Sequence, residues 1–306
     1  MPSKLNIAAH AKVNLALAVG APAPPHGYHP ICSWMTAIDL FDDVEIERRE
    51  GHVISEYKVD WAPDAPRPTP IDWPIEKDLA ARAHQYVERI AGRPLPVTIS
   101  VRKRIPVGGG LGGGSADAGA VLTGLAHIFD DMDLPMEHIA EVSTALGSDV
   151  GFFTQVTGMK VPGWPQPAIV EGFGETITRL ERFERPLVVF VPEFGTNTGA
   201  VYKAFDAKIG GGGEMKSSLV RELADKGDKV DTMDLFNDLA EPACRVEPRL
   251  AELRTHLTRT LGVPVHVTGS GSSLFCLCEG RLDRAKLVKK AREATPGLVT
   301  VSGTTI

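Results

Sequence analysis

Cysteine is scarce in this 306-residue chain: Cys32, Cys244, Cys276 and Cys278 are the whole complement. Four widely spread thiols do not make the dense disulfide framework of a small secreted domain. Cys276 and Cys278 alternate with Phe275 and Leu277, the pattern of a buried strand face in a reducing compartment. A C-x-C with no further Cys pair or His at ligand spacing is not a zinc signature. Long apolar runs are also missing, since none reaches the roughly 18 residues that a membrane span needs. Met1–Ala8 is too polar to read as a secretory leader. Positive charge is in deficit, with 33 Lys and Arg against 39 Asp and Glu and a net charge of −6. That balance argues against a non-specific nucleic-acid binder. It leaves a nucleotide ligand open, because one phosphate site needs only local positive potential.

What is present is the composition of a soluble enzyme, at a length that suits two domains or one large α/β unit. Leu5–Val19 alternates apolar and polar residues and reads as a strand, or as two strands broken near His10. Lys12 and Asn14 then share one face. The turn Ala21–Gly27 follows, and Asp39–Glu47 resumes alternation through Leu40, Val44 and Ile46. The proline-dense stretch Trp61–Pro74 reads as an irregular excursion. Leu79–Ile90 has helical spacing, with Leu79, Ala83, Tyr86, Val87 and Ile90 on one side. Val97–Arg102 is a strand, and Ala118–Phe129 and Met136–Leu146 are helices, the second ended by Gly147. Later in the chain, Leu187–Val191, Val263–Thr268 and Leu274–Cys278 read as strands and Leu250–Leu257 as a helix. Gly210–Gly213 reads as a flexible connection. The prolines at 162, 165 and 167 put a domain boundary near 160, giving segments 1–160 and 161–306.

Between the strand ending near Arg102 and the helix beginning near Ser115 lies Lys103-Arg-Ile-Pro-Val-Gly-Gly-Gly-Leu-Gly-Gly-Gly-Ser-Ala-Asp117. Six glycines free the backbone for positive φ and let a bulky anion approach the amides. A helix start adds unpaired N–H groups and a positive dipole end. The segment therefore reads as a phosphate cradle, with Ser115 either capping the helix or meeting a phosphate or its magnesium. No Gly-Lys-[Ser/Thr] closes it, so it is not a Walker A loop. No second strand with an acidic end follows the helix, as a dinucleotide fold requires. The His-Arg-Asp and Asp-Phe-Gly signatures of protein kinases are absent.

Pro106-Val-Gly-Gly-Gly-Leu-Gly-Gly-Gly-Ser-Ala-Asp-Ala118 resembles the second motif of the GHMP kinase superfamily. Ala11-Lys-Val-Asn-Leu15, Gly27-Tyr-His29, Ile38-Asp-Leu40, Leu146-Gly-Ser-Asp-Val150, Asn237-Asp-Leu239 and Gly269-Ser-Gly271 agree in order over nearly the whole chain. The resemblance implies an α+β fold of two lobes with the active site in a cleft, the first like ribosomal protein S5 domain 2 and the second ferredoxin-like. It implies ATP with Mg2+ as donor, held by Pro106, Val107, Gly108, Gly109, Gly110, Leu111, Gly112, Gly113, Gly114, Ser115 and Ala116. The Gly-Gly-Gly-Ser-Ala-Asp wording resembles the branch that phosphorylates the 2-hydroxyl of a CDP-linked methylerythritol in non-mevalonate isoprenoid synthesis. Mevalonate, homoserine or sugar kinases of the same superfamily are the alternatives, as is a non-catalytic nucleotide-binding relative.

Phosphoryl transfer to an alcohol needs an in-line hydroxyl, a proton acceptor and an offset for phosphoryl charge. The resemblance makes Asp149 the base, although a carboxylate there also fits as the cap of a short helix over Val150–Phe153. It makes Lys12 the cationic partner, where a strand lysine is otherwise a solvated one. Asn14, Tyr28, His29, Thr198 and Tyr202 are implied in substrate binding, with an aromatic ring on the cytosine and the imidazole at its polar edge. Against that stand a hairpin aromatic for Tyr28 and a surface histidine for His29. Gly269, Ser270 and Gly271 form the third motif, implied to lie beside the phosphates. Two stretches depart from the family: Val150-Gly-Phe-Phe153 lacks its proline, and residues 157–175 replace its Gly-Gly-Thr-Ala and Thr-Gly-Arg-Gly-Glu blocks. The absence of a transit segment is read as a bacterial cytoplasmic enzyme.

Overall fold

The computed structural model describes residues 3–25, 27–51, 53–130, 136–154, 164–209 and 214–306. The Gly210–Gly213 connection, residue His26 and positions 157–163 of the divergent 157–175 stretch lie outside the described residues. The chain forms two compact units that are not consecutive halves. Unit 1 takes Met1–Ala11, Leu40–Val107 and Gly112–Pro165, and unit 2 takes Lys12–Asp39, Gly108–Leu111 and Gln166–Ile306. Of the two earlier segments in unit 2, Gly108–Leu111 falls inside the glycine-rich run and Lys12–Asp39 carries no compositional mark.

β1 (Lys4–Val19) and β2 (Ile31–Arg48) are long strands, each contributing one half to each unit. In unit 1 they are joined by β3 (Glu56–Trp61) and β4 (Val97–Lys103) in the order β3-β4-β2-β1. β4 runs antiparallel to β2, with Val44 opposite Val101 and Ile46 opposite Ile99. These apolar pairs are the alternating residues on which both strands were read. The helices of unit 1 are α1 (Leu79–Ala91), α2 (Gly113–Ile128), α3 (Met136–Leu146) and α4 (Val150–Phe153). α2 is the central one: Ala116 to Leu125 are all buried, as befits a helix surrounded by apolar neighbours. A Cβ on Gly124 would stand 3.0 Å from Ile7 Cδ1, so a bare backbone there lets α2 approach β1.

α1 is capped by Asp78, whose carboxylate accepts from Ala80 and Ala81 N–H, and ends at Gly92 with φ 64°. Its buried face is Ala80, Ala81, Ala83, His84 and Val87. The expected face is thus rotated, and Ile90 is left exposed. Small alanines allow α1 to lie close on α2. His84 is buried because both ring nitrogens are satisfied, by Tyr57 Oη at 2.7 Å and Leu95 O at 2.8 Å.

In unit 2 the second half of β1 pairs with β8 (Phe236–Asn237) in parallel. The first half of β2 pairs with β5 (Ala168–Gly172), which pairs in turn with β6 (Thr176–Arg179). A separate antiparallel sheet runs β11-β7-β10-β9, built from β7 (Pro186–Val191), β9 (His266–Val267), β10 (Leu274–Leu277) and β11 (Val299–Thr304). Its core is Val188, Val189, Phe190, Leu274, Phe275 and Cys276, all at zero exposure. Cys276 and Cys278 are buried free thiols, as read. The helices of this unit are α5 (Thr198–Ile209), α6 (Ser217–Lys226), α7 (Ala240–Val246), α8 (Pro248–Leu261) and α9 (Arg281–Ala294).

Candidate active site

Lys12 and Asn14 sit on β1 within unit 2, each only 3% exposed. A lysine this deep is not a solvated one. Its ammonium donates to Asn14 Oδ1 at 2.6 Å, and Asn14 Nδ2 donates to Ser33 Oγ at 2.8 Å. The Ser33 hydroxyl in turn donates a hydrogen bond to Ala16 O at 2.9 Å. Asn14 N–H donates to Thr268 Oγ1 at 3.1 Å, and that hydroxyl lies 3.3 Å from Asn14 Oδ1. Lys12 and Asn14 thus share a face, as alternation requires, and are fixed by a chain of buried hydrogen bonds.

The first half of the glycine-rich loop is laced to the same place. Lys12 N–H donates to Leu111 O at 2.9 Å, and Ser273 N–H donates to Gly109 O at 3.1 Å. Gly108, Gly110 and Gly112 all have positive φ, between 73° and 75°. A Cβ on Gly110 would fall 2.5 Å from Thr268 O and 2.9 Å from Gly271 O. The third-motif turn therefore packs on the loop with only backbone between them, which explains a glycine there by space as well as by φ. Gly269 has φ 56°, and a Cβ on it would be 3.5 Å from Lys12 Nζ. Asn237, part of the Asn237-Asp-Leu239 block, ties this turn down. Its Nδ2 donates to Val267 O at 2.9 Å and Gly269 O at 2.7 Å.

The residues assigned to substrate divide. His29 is not a surface histidine, since its side chain is 6% exposed. Nδ1 is 2.8 Å from Gly20 O and Nε2 is 3.3 Å from Asp206 Oδ1. Tyr202 stacks on the His29 ring, with centroids 5.1 Å apart at 29°, and Phe205 meets its edge at 5.7 Å. Thr198, Tyr202 and Asp206 recur every four residues along α5 and so share one face. Thr198 Oγ1 is 2.9 Å from Ser270 Oγ, which joins that face to the third motif. Tyr28, next to His29 in the chain, is 69% exposed. Asp206 was missed by the sequence reading; its i+4 spacing from Tyr202 was the available signal.

Unit 1 carries the second half of the loop. α2 starts at Gly113 after Gly112, and no side chain caps it. Ser115 lies in the first turn, half-buried, and the capping alternative for it falls away. The first amides of α2 have no intrahelical acceptor. Asp149 precedes α4 with helical φ and ψ of −89° and −16°, and its carboxylate makes no capping bond. Asp149 therefore does not cap α4 through its side chain.

Another cluster in unit 1 was not foreseen. Lys103 Nζ lies 2.6 Å from both Asp42 Oδ2 and Asp117 Oδ2, with all three side chains buried. Asp42 Oδ1 also accepts from the N–H groups of Arg104 and Ile105, the latter at 2.7 Å. Burial works to lower the Lys103 pKa, but the Asp117 and Asp42 carboxylates outweigh it and hold the ammonium charged. Burial pushes the Asp117 carboxyl up to about 8, against the pull of Lys103.

A family model described as "GHMP kinases N terminal domain" matches residues 78–159. The fold is that of the GHMP kinases, with two α+β lobes. A solved 4-(cytidine 5'-diphospho)-2C-methyl-D-erythritol kinase is 30% identical, with a TM-score of 0.73 over 98% of this chain and 99% of that one. A homoserine kinase from Cytophaga hutchinsonii, at 13% identity and a TM-score of 0.66, shares the fold over 100% of this chain and 95% of its own. The 4-diphosphocytidyl-2-C-methyl-D-erythritol kinase of Symbiobacterium thermophilum is 32% identical over 94% of this chain and 95% of its own. That of Geobacter sp. is 31% identical over 90% and 89%. The chain belongs to the 4-diphosphocytidyl-2-C-methyl-D-erythritol kinase family, and it is an ATP-dependent small-molecule kinase.

Proposed function

We propose that the chain transfers the γ-phosphoryl group of ATP to the 2-hydroxyl of 4-diphosphocytidyl-2-C-methyl-D-erythritol, a step of non-mevalonate isoprenoid precursor synthesis. The observation that carries the reading is the buried Lys12–Asn14 pair, bonded at once to the glycine-rich loop and to the third-motif turn. A desolvated ammonium beside a phosphate cradle is strong electrostatic machinery, because little water screens it.

In this reading Asp149 accepts the hydroxyl proton as the acceptor oxygen attacks phosphorus, and the bond from phosphorus to the bridging β,γ-oxygen breaks. Lys12 offsets the charge on the developing alkoxide, and Asn14 fixes the direction of the ammonium. Gly108–Ser115 hold the triphosphate through backbone amides. His29, Tyr202 and Thr198 form the wall for the cytidine, with exposed Tyr28 at its margin. Base-on-aromatic stacking contributes about 1–3 kcal/mol per base.

The family implies a magnesium ion carried on ATP. Among the described residues no group of three or more His, Cys, Asp or Glu would hold a metal by itself. A hard cation accepts oxygen donors and keeps phosphate ligands, so the Ser115 hydroxyl in the first turn of α2 suits it. When bound, the ion offsets phosphate charge. A cytoplasmic bacterial setting belongs to the same proposal, in keeping with bacterial relatives; among the described residues no helix is long and apolar enough to cross a membrane.

The test is ADP release with the CDP-linked alcohol, with mevalonate and homoserine as controls. Turnover with the CDP compound alone is expected. Preference for either control would overturn the acceptor, and ATP binding without transfer to any of them would overturn catalysis.

A further inference from the structure

The glycine-rich loop leaves β4 at Lys103 and runs into α2, and both of its ends are tied to one buried point. At the start, Asp42 accepts from the N–H groups of Arg104 and Ile105. At the finish, Asp117 sits in the early turns of α2 and faces the same Lys103 ammonium, 2.6 Å away. Gly113 closes the third side: a Cβ on it would lie 2.9 Å from Ile105 Cγ2 and 3.8 Å from Asp42 Oδ2. Six loop glycines have little intrinsic preference for one conformation, so a fixed separation of the loop's ends limits its freedom in addition to the bonds that Gly109 and Leu111 accept.

We propose that the Asp42–Lys103–Asp117 cluster is a clamp that sets the conformation of the glycine-rich loop, and that Asp117 is a positioning residue for ATP rather than a ligand of it. The inference rests on the reading that this loop holds the ATP phosphates.

The three partners are not equivalent. Asp42 has the ammonium and two backbone amides, a full set of donors for an anion. Asp117 has the ammonium on Oδ2, while Oδ1 is buried with no hydrogen-bond partner among the described residues. One ammonium balances one carboxylate, and the carboxylate with more hydrogen-bond donors is Asp42. Asp117 therefore carries the proton, consistent with the upward shift of its carboxyl. A neutral Asp117 accepts from Lys103 through Oδ2 and adds no negative charge to the helix start that receives phosphate.

This makes the conservative and the truncating substitutions separable. Asp117→Asn keeps the acceptor for Lys103 and the neutral charge. Asp117→Ala keeps a charge-matched Lys103–Asp42 pair, so the fold is retained, but releases the end of the loop. The experiment measures ATP binding and steady-state kinetics of wild type, Asp117→Asn and Asp117→Ala on the full chain. Asp117→Ala is expected to raise the KM and Kd for ATP about tenfold or more with the KM for the alcohol unchanged. Asp117→Asn is expected to stay within about threefold of wild type in both. Asp117→Ser, too short to reach the ammonium, gives the same comparison if the alanine variant does not fold. An alanine or serine variant that folds and binds ATP like wild type overturns the clamp. Equal loss of affinity for ATP and alcohol overturns it too, as a general structural effect. Failure of wild type to bind ATP would instead refute the reading of the loop.

Discussion

Gly108 and Gly110 form a matched pair for testing why the loop is glycine-rich. Both have positive φ, 73° and 75°. An alanine at either therefore bears the left-handed backbone penalty of about 1–2 kcal/mol. They differ in space. Nothing lies within 4 Å of a Cβ on Gly108, whereas a Cβ on Gly110 would lie 2.5 Å from Thr268 O and 2.9 Å from Gly271 O. A carbon–oxygen contact ordinarily needs about 3.3 Å, so one atom must move by roughly 0.8 Å. Both obstructing atoms belong to backbone that Asn237 and the Ser273–Gly109 bond hold in place. Overpacking a fixed site costs about 1–3 kcal/mol more. Gly108→Ala should thus lose about 1–2 kcal/mol of stability and Gly110→Ala about 2–5 kcal/mol. Urea unfolding with a common m-value measures both. Gly110→Ala should also weaken ATP the more, because relief of the clash displaces the loop. If the two variants unfold within about 0.5 kcal/mol of each other, the third-motif turn does not restrain the loop and the packing argument is wrong.

Lys12→Ala and Asp149→Asn should each reduce kcat by orders of magnitude while circular dichroism and the unfolding midpoint show a retained fold; near-normal turnover in either removes that residue from the mechanism. Tyr202→Ala strips the face from His29, and the expected outcome is a KM for the CDP-linked alcohol raised about tenfold at unchanged KM for ATP. An equal rise in both would assign Tyr202 to packing. The Asp117 carboxyl, which Lys103, Asp42 and Asp78 face, has a folded pKa of about 8 against an ordinary 3.8. The folded chain then holds a proton that the unfolded chain releases, so this group's contribution to stability is full below about pH 4 and is lost as pH rises through about 8. Unfolding free energies at about pH 6 and about pH 9 should differ less in Asp117→Asn than in wild type; identical slopes would place the proton elsewhere.

The parts of this molecule legible in the sequence are those where one local pattern decides. The alternation through Lys12 and Asn14, the Val97–Lys103 strand and the helix Met136–Leu146 needed only period and breaker residues. The glycine run needed only its place between strand and helix. The first half of β2 was not legible because Ile31–Ile38 is buried on both faces, so the period-two signal disappears. β3 was missed because its alternating half-exposed residues stand beside a proline-dense excursion. The α1 face was misplaced by reading large residues as the core, when alanines let the helix pack closer.

The charged clamp lies beyond any local reading. Asp42, Lys103 and Asp117 are separated by 61 and 14 positions, and none carries a spacing signal toward the others. Each alone reads as a surface charge, since Lys and Asp are seldom buried unless paired. What the fold adds is a common point, reached because β2 and β4 are paired neighbours and α2 follows β4 through the loop. The same connectivity makes the cluster consequential. A buried ion pair is weak support for stability in itself, and here it is placed where it limits the freedom of six glycines. Glycine freedom lets the backbone approach a phosphate, but it also leaves many conformations that bind none. A loop rich in glycine therefore needs its ends held, and the charge that holds them belongs beneath the loop, where it cannot compete with the phosphate for the amides.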